Sequence, residues 1–139
     1  MLIKDIHIRD PFIMPEKGHY YLYGTTDDNA WEGKARGFST YESLDLTEWR
    51  GPFEVFTPPD GFWADENFWA PEVYIYKGSY YMFASFKTKG KPRTTQILTA
   101  SGPLGPFMPH SDNNLTPLGW ECLDGTLYLD EEGTPYMIF

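Results

Sequence analysis

The stretch GHYYLYGTT at Gly18–Thr26 returns as GSYYMFASF at Gly78–Phe86 and, shortened, as GTPYMIF at Gly133–Phe139. Each copy opens on a glycine suited to a tight turn and runs on in aromatic residues with strand character. Ahead of each stands another short apolar run: DPFIMPEK, APEVYIYK and LDGTLYLDEE. Each pair therefore reads as a β-hairpin, with turns at Glu16–Gly18, Lys77–Gly78 and Glu131–Gly133. A second element also recurs. YESLDLTEWRGPF closes at Phe53 and TASGPLGPF at Phe107, both on Gly-Pro-Phe. The glycines are 60 and 55 residues apart, and the Gly-Pro-Phe elements 54.

One unit is thus a hairpin, a linker and a second hairpin: roughly four strands in about 55 residues, the period of a propeller blade. With 12 Pro and 13 Gly, long helices have little room. The expected class is all-β and the expected architecture a β-propeller. A β-sandwich of short strands ranks below it, because a sandwich does not require two hairpin types to alternate at a fixed period. Blade one is expected over about residues 5–60, blade two over about 65–118, and the start of blade three over about 121–139. A propeller closes with roughly four to eight blades, and this chain supplies about two and a half. It is expected to be one part of a propeller that further blades complete. The strand edge near Phe139 would then invite self-association or complementation.

Composition narrows the partners. The chain has 139 residues, 20 acidic against 11 basic, and a net charge of −9. That disfavours nucleic acid, whose phosphates need clustered Lys and Arg, and equally an anionic membrane. No apolar run approaches membrane-spanning length. MLIKDIHIRDP lacks the apolar core of a signal peptide, so the cytoplasm is the expected location, a removed leader being left open. Cys122 is the only cysteine, which rules out a disulfide framework and a cysteine zinc pattern. The 18% aromatic share serves a core first, and it also suits sugar faces, which stack on flat rings.

Asp10 precedes Pro11, Ala70 precedes Pro71, and Asp124 stands at the same place before Gly125. The first strand of each blade lines a propeller's channel, so Asp10 and Asp124 are expected to face one axial pocket. Two carboxylates converging on an aromatic-lined pocket suit glycoside hydrolysis. Proline restricts the residue before it, so an extended Asp10 is expected. An ordinary Asx-turn before proline is the competing reading for Asp10 alone, and the repeat together with Asp124 favours the functional one. Glu72 and Glu121 read as pocket or surface carboxylates, the acidic run Asp130–Glu132 as a solvated turn. His7, His19 and His110 show no ligand spacing.

Four stretches, RDPFIMPEKGHYYLYGT, FWAPEVYIYKGSYYMFASF, ASGPLGPF and LDGTLYLDEEGTPYMIF, lie in order across essentially the whole chain. Together they resemble the N-terminal part of glycoside hydrolase family 43, a family of five-bladed β-propellers. The resemblance implies an inverting mechanism with three carboxylates. Asp10 matches the general base. Asp124 matches the Asp that tunes the pKa of the acid, with Gly125 where the family often has Pro. The acid is a Glu from a later blade, outside this sequence, so the 139-residue chain alone is expected to be inactive on aryl glycosides. Trp69 and Phe86 match positions at the sugar pocket. The resemblance implies no required cofactor; some members hold a channel calcium, generally through a His of a later blade. It implies a carbohydrate substrate in plant-type polysaccharides, with an exo-acting arabinofuranosidase or β-xylosidase as the expected activity. A fructan-active propeller glycosidase is one alternative, disfavoured because Arg9 stands where that motif has Asn. A non-catalytic carbohydrate-binding propeller piece is the other.

Overall fold

The computed structural model describes residues 1–29, 31–110 and 115–139. Its hairpins follow from two Lys-Gly turns. Strand β1 (Arg9–Glu16) turns into β2 (His19–Thr25), and β5 (Glu66–Tyr76) turns into β6 (Ser79–Lys87). Lys17 and Gly18 have φ of 49° and 83°, and Lys77 and Gly78 have φ of 48° and 82°. Two successive left-handed residues make the turn whose twist matches that of the flanking strands, and glycine occupies the second position without strain. The pairs Glu16↔His19 and Tyr76↔Ser79 close the hairpins and set their registers.

The third hairpin, β9 (Thr126–Leu129) to β10 (Pro135–Ile138), turns differently. Asp130 Oδ1 accepts the backbone N–H groups of Glu132 (3.0 Å) and Thr134 (2.8 Å). The bond from Thr134 is the main reason the Asp130 carboxyl lies below its ordinary pKa. The acidic run is thus a turn organised by its own first carboxylate.

The remaining strands are β3 (Phe38–Ser43), β4 (Trp49–Phe56), β7 (Thr94–Ala100) and β8 (Met108–Pro109). They complete two antiparallel meanders ordered β1-β2-β3-β4 and β5-β6-β7-β8, with β9-β10 beginning a third unit. A four-stranded meander is the blade of a propeller. A single turn of 3₁₀ helix at Ile3–Asp5 is the only helical element among the described residues. Strand β5 packs on β1 and β2, which makes the first strands of the two blades neighbours.

The core fills the space between the blades. Met14, Tyr23, Phe38 and Phe56 of the first meet Phe68, Met82, Phe86 and Leu98 of the second, and Phe62 of the connecting segment packs beside them. Polar ties cross the same seam. Tyr23 Oη donates to the Pro103 carbonyl (2.7 Å), Tyr80 Oη to Glu16 Oε2 (2.5 Å), and the Phe107 N–H to the Val55 carbonyl (2.7 Å). Gly105 permits the last contact: a Cβ there would lie 2.5 Å from the Val55 oxygen. Burial, then the Glu16 carboxylate, push the Tyr80 phenol up to about 12, so it remains a donor across the pH range of the protein.

One expectation is corrected here. Phe86, expected at the sugar pocket, has 0% of its surface exposed and packs against Phe68 at 4.9 Å and Phe62 at 5.3 Å between ring centroids. Its strand is buried on both faces from Met82 through Phe86, so a ring at its end is core wherever it points.

Candidate active site

The three related positions share one backbone conformation. Asp10, Ala70 and Asp124 have φ of 51°, 46° and 54°. This overturns the extended geometry expected of a residue before proline. At Asp10 and Ala70 the cause is a bulge. In β1 the register steps three residues, from Arg9 to Phe12, while its partner steps two, from Thr25 to Tyr23. Strand β5 does the same between Trp69 and Glu72 against Ser85 and Phe83. The extra residue is forced into the left-handed region, which re-aims its side chain. Asp tolerates that region better than most residues. Asp10 sits within β1, whereas Asp124 lies two residues ahead of β9 rather than inside an innermost strand.

Hydroxyl groups hold these left-handed residues across the blade seams. Thr25 Oγ1, at the end of β2, accepts the Ala70 N–H at 2.9 Å and donates to Asp10 Oδ2 at 2.7 Å. Sixty residues on, Ser85 Oγ accepts the Asp124 N–H at 2.9 Å. Thr95 Oγ1 then takes the Gly125 N–H at 3.2 Å, and Gly125 has to be glycine-small because a Cβ would lie 2.5 Å from Thr95 Cγ2. A bulky residue or proline ring in place of Gly125 would collide with that threonine.

Arg93 stands against Trp69 and within electrostatic reach of Asp124. Its guanidinium carbon lies 4.2 Å from the centre of the Trp69 ring. Nη1 is 3.4 Å from Glu121 Oε2, and Nη2 donates to Asn67 Oδ1 at 3.3 Å. Glu121 also accepts the Arg93 backbone N–H (3.0 Å) and pairs with Lys87 (3.7 Å), so it is a rim ion-pair partner. Trp69, matched above to a sugar-facing position, is half-buried and has one face against Arg93. Trp31 meets it at 5.4 Å and 88° and is itself 78% exposed. Glu72 accepts from Tyr74 Oη at 2.5 Å, and the same phenol reaches Thr126 Oγ1 at 2.7 Å, tying Glu72 to the third unit.

The carboxylates form one electrostatic cluster. Asp124 is raised above its ordinary value of 3.8, first by partial burial and then by the charges of Asp10 and Glu72, with Arg93 opposing. Between 3.8 and the raised value the folded state binds more protons than the unfolded chain, so this group's contribution to stability falls as pH rises through that window. Asp124→Asn removes the titration. Near neutral pH the variant is expected to show a higher urea midpoint than wild type, with the gap shrinking as pH falls through the window. Asn also suits a left-handed φ, but that gain does not vary with pH. A gap constant across pH would contradict the assignment.

Asp10, Glu72 and Arg93 thus act electrostatically on Asp124, Trp69 lies against Arg93, and Phe86 is buried in the core. Sequence reading missed Thr25, Arg93 and Trp31. For Thr25 a signal existed: a hydroxyl recurs at 25 and 85, in register with the glycine repeat. The histidines are scattered: His19 pairs with Glu42 at 2.7 Å, and His110 packs on Tyr81. Among the described residues no group of three or more His, Cys, Asp or Glu could hold a metal ion.

Two meander blades, a third begun, and paired carboxylates on left-handed residues of the first and third units define a propeller of the glycosidase kind. The chain belongs to the glycosyl hydrolases family 43, whose model matches residues 3–139. It superposes on an endo-arabinase from Bacteroides thetaiotaomicron VPI-5482 with a TM-score of 0.86 at 39% identity, covering 99% of this chain and 46% of that one. A thermostable family-43 glycoside hydrolase gives a TM-score of 0.80 at 31% identity, covering 94% of this chain and 40% of that one. These neighbours are five-bladed propellers. Among curated relatives, an extracellular exo-α-(1→5)-L-arabinofuranosidase of Cellvibrio japonicus is 26% identical over 98% of this chain and 41% of its own length. An extracellular endo-α-(1→5)-L-arabinanase of Bacillus subtilis is 24% identical over 95% and 42%. The chain therefore spans less than half the length of the relatives it matches.

Proposed function

We propose that this chain forms part of an inverting glycosidase acting on arabinofuranosyl linkages of plant-type polysaccharides, with xylosyl linkages as the second choice. The observation that carries the reading is the pairing of Asp10 and Asp124: two carboxyl groups on left-handed residues at related places of two units, in one electrostatic cluster. Family membership and the arabinan-cleaving relatives support the sugar class.

Asp10 is the base. It takes a proton from water as that water attacks the anomeric carbon and the glycosidic bond breaks. The leaving oxygen takes its proton from a carboxylic acid supplied by the rest of the propeller. In inversion the water fits between base and sugar, which sets acid and base roughly 6.5–9.5 Å apart. Asp124 acts through charge: an anion beside the acid raises the acid's pKa and keeps it protonated near neutral pH. Trp31 offers an open ring at the rim, whereas one face of Trp69 is committed to Arg93. The chemistry needs no cofactor.

The test is hydrolysis by the full-length protein of linear α-1,5-arabino-oligosaccharides, xylo-oligosaccharides and the matching aryl glycosides. The arabino substrates are expected to be cleaved fastest. Cleavage of xylosides alone would move the assignment to a β-xylosidase. Binding of the oligosaccharides without any cleavage would make the propeller a carbohydrate-binding module.

A further inference from the structure

We propose that Thr25 is a positioning residue for the base: its hydroxyl, locked by the Ala70 N–H of the next blade, grips Oδ2 of Asp10 and leaves Oδ1 to take the proton of water. The inference rests on the reading of Asp10 as base. The direction of the two bonds follows from the groups themselves. A backbone N–H can only donate, so the bond from Ala70 occupies a lone pair of Thr25 Oγ1. The hydroxyl proton is then free for the carboxylate, and the 2.7 Å separation from Oδ2 suits such a charge-assisted bond.

Comparison of the two repeats separates scaffold from function. Ser85 stands where Thr25 stands, and it too accepts an N–H from the left-handed residue of the following unit. Holding the left-handed residue of the next unit is therefore common to both hydroxyls. In its own blade, however, Ser85 pairs with Trp69, just ahead of the bulge residue Ala70, which has no carboxyl, whereas Thr25 pairs with Arg9, just ahead of Asp10, and bonds to its carboxylate. The added bond to a carboxylate occurs where the base is. Thr25 is 1% exposed, so bulk water does not compete for its two bonds, and its branched Cβ restricts χ1. The base is thereby oriented by the docking of one blade on the next.

The experiment is steady-state kinetics of full-length Thr25→Val, Thr25→Ala and Thr25→Ser beside wild type and Asp10→Asn, on an aryl α-L-arabinofuranoside. Removing the hydroxyl is expected to lower kcat about 10–100-fold, the scale of a misaligned reacting group, with KM unchanged within about twofold. Thr25→Ser keeps donor and acceptor and is expected to restore kcat to within about threefold of wild type. A folded Val or Ala variant with wild-type kcat overturns the proposal, and so does a Ser variant as slow as Val. Failure of both Val and Ala to fold overturns it in favour of a purely structural hydroxyl. Asp10→Asn at wild-type rate would instead sink the reading of the base itself, and the two failures are told apart by that control.

Discussion

In the full-length protein, Asp10→Asn is expected to lower kcat about 10²–10⁴-fold, the usual contribution of a general base. The substitution is chosen to remove one property only. Asn has nearly the shape of Asp and tolerates the left-handed φ of 51° at this bulge. Its amide oxygen can still accept the Thr25 hydroxyl that Oδ2 accepts at 2.7 Å. What it cannot do is take up a proton. The urea midpoint and KM should therefore stay close to wild type while turnover collapses. Turnover of an aryl arabinofuranoside at a near wild-type rate would make Asp10 a turn residue, selected for its ease at positive φ.

Phe86→Ala is expected to destabilise the protein by about 3–5 kcal/mol, as large aromatic-to-alanine changes in cores do. The ring has no exposed surface and meets Phe38, Phe56, Phe62, Phe68 and Trp63 at centroid distances from 4.9 to 6.5 Å. The rings come from both blades and from the segment between them, so no single element can collapse into the space left behind. Denaturant unfolding of the full-length protein reads the cost directly. A loss below about 1 kcal/mol, with KM raised instead, would return Phe86 to the sugar pocket; such a small cost is foreign to a well-packed core.

The outcome at Phe86 also shows where sequence reading runs out. The repeat of glycine and aromatic residues carried the hairpins, because a two-residue Lys-Gly loop can close only one register and the turn residues announce it. The pairing of Asp10 with Asp124 followed from the same offset. Which way an individual ring faces did not follow. Strands with a solvated face alternate, but β2 and β6 lie inside their sheets and bury both faces, so GSYYMFASF has no polar side to orient it. The left-handed bulges were hidden as well. A residue before proline prefers to be extended, and here one extra residue in the register and a buried hydroxyl on the next strand override that preference. Thr25 was legible in principle, since its hydroxyl recurs at Ser85. Arg93 was not: its partners Trp69, Asn67 and Glu121 are 24 to 28 residues away and come together only when β7 pairs with β6.

The central claim is that Asp10 activates water rather than attacking the sugar. The most direct test is proton NMR of the first-formed product when full-length protein cleaves an α-L-arabinofuranoside. The expected first product is the β-anomer, formed by a single displacement and followed by slow mutarotation. An initial α-anomer would contradict the account, because retention requires a carboxylate nucleophile and a glycosyl-enzyme intermediate.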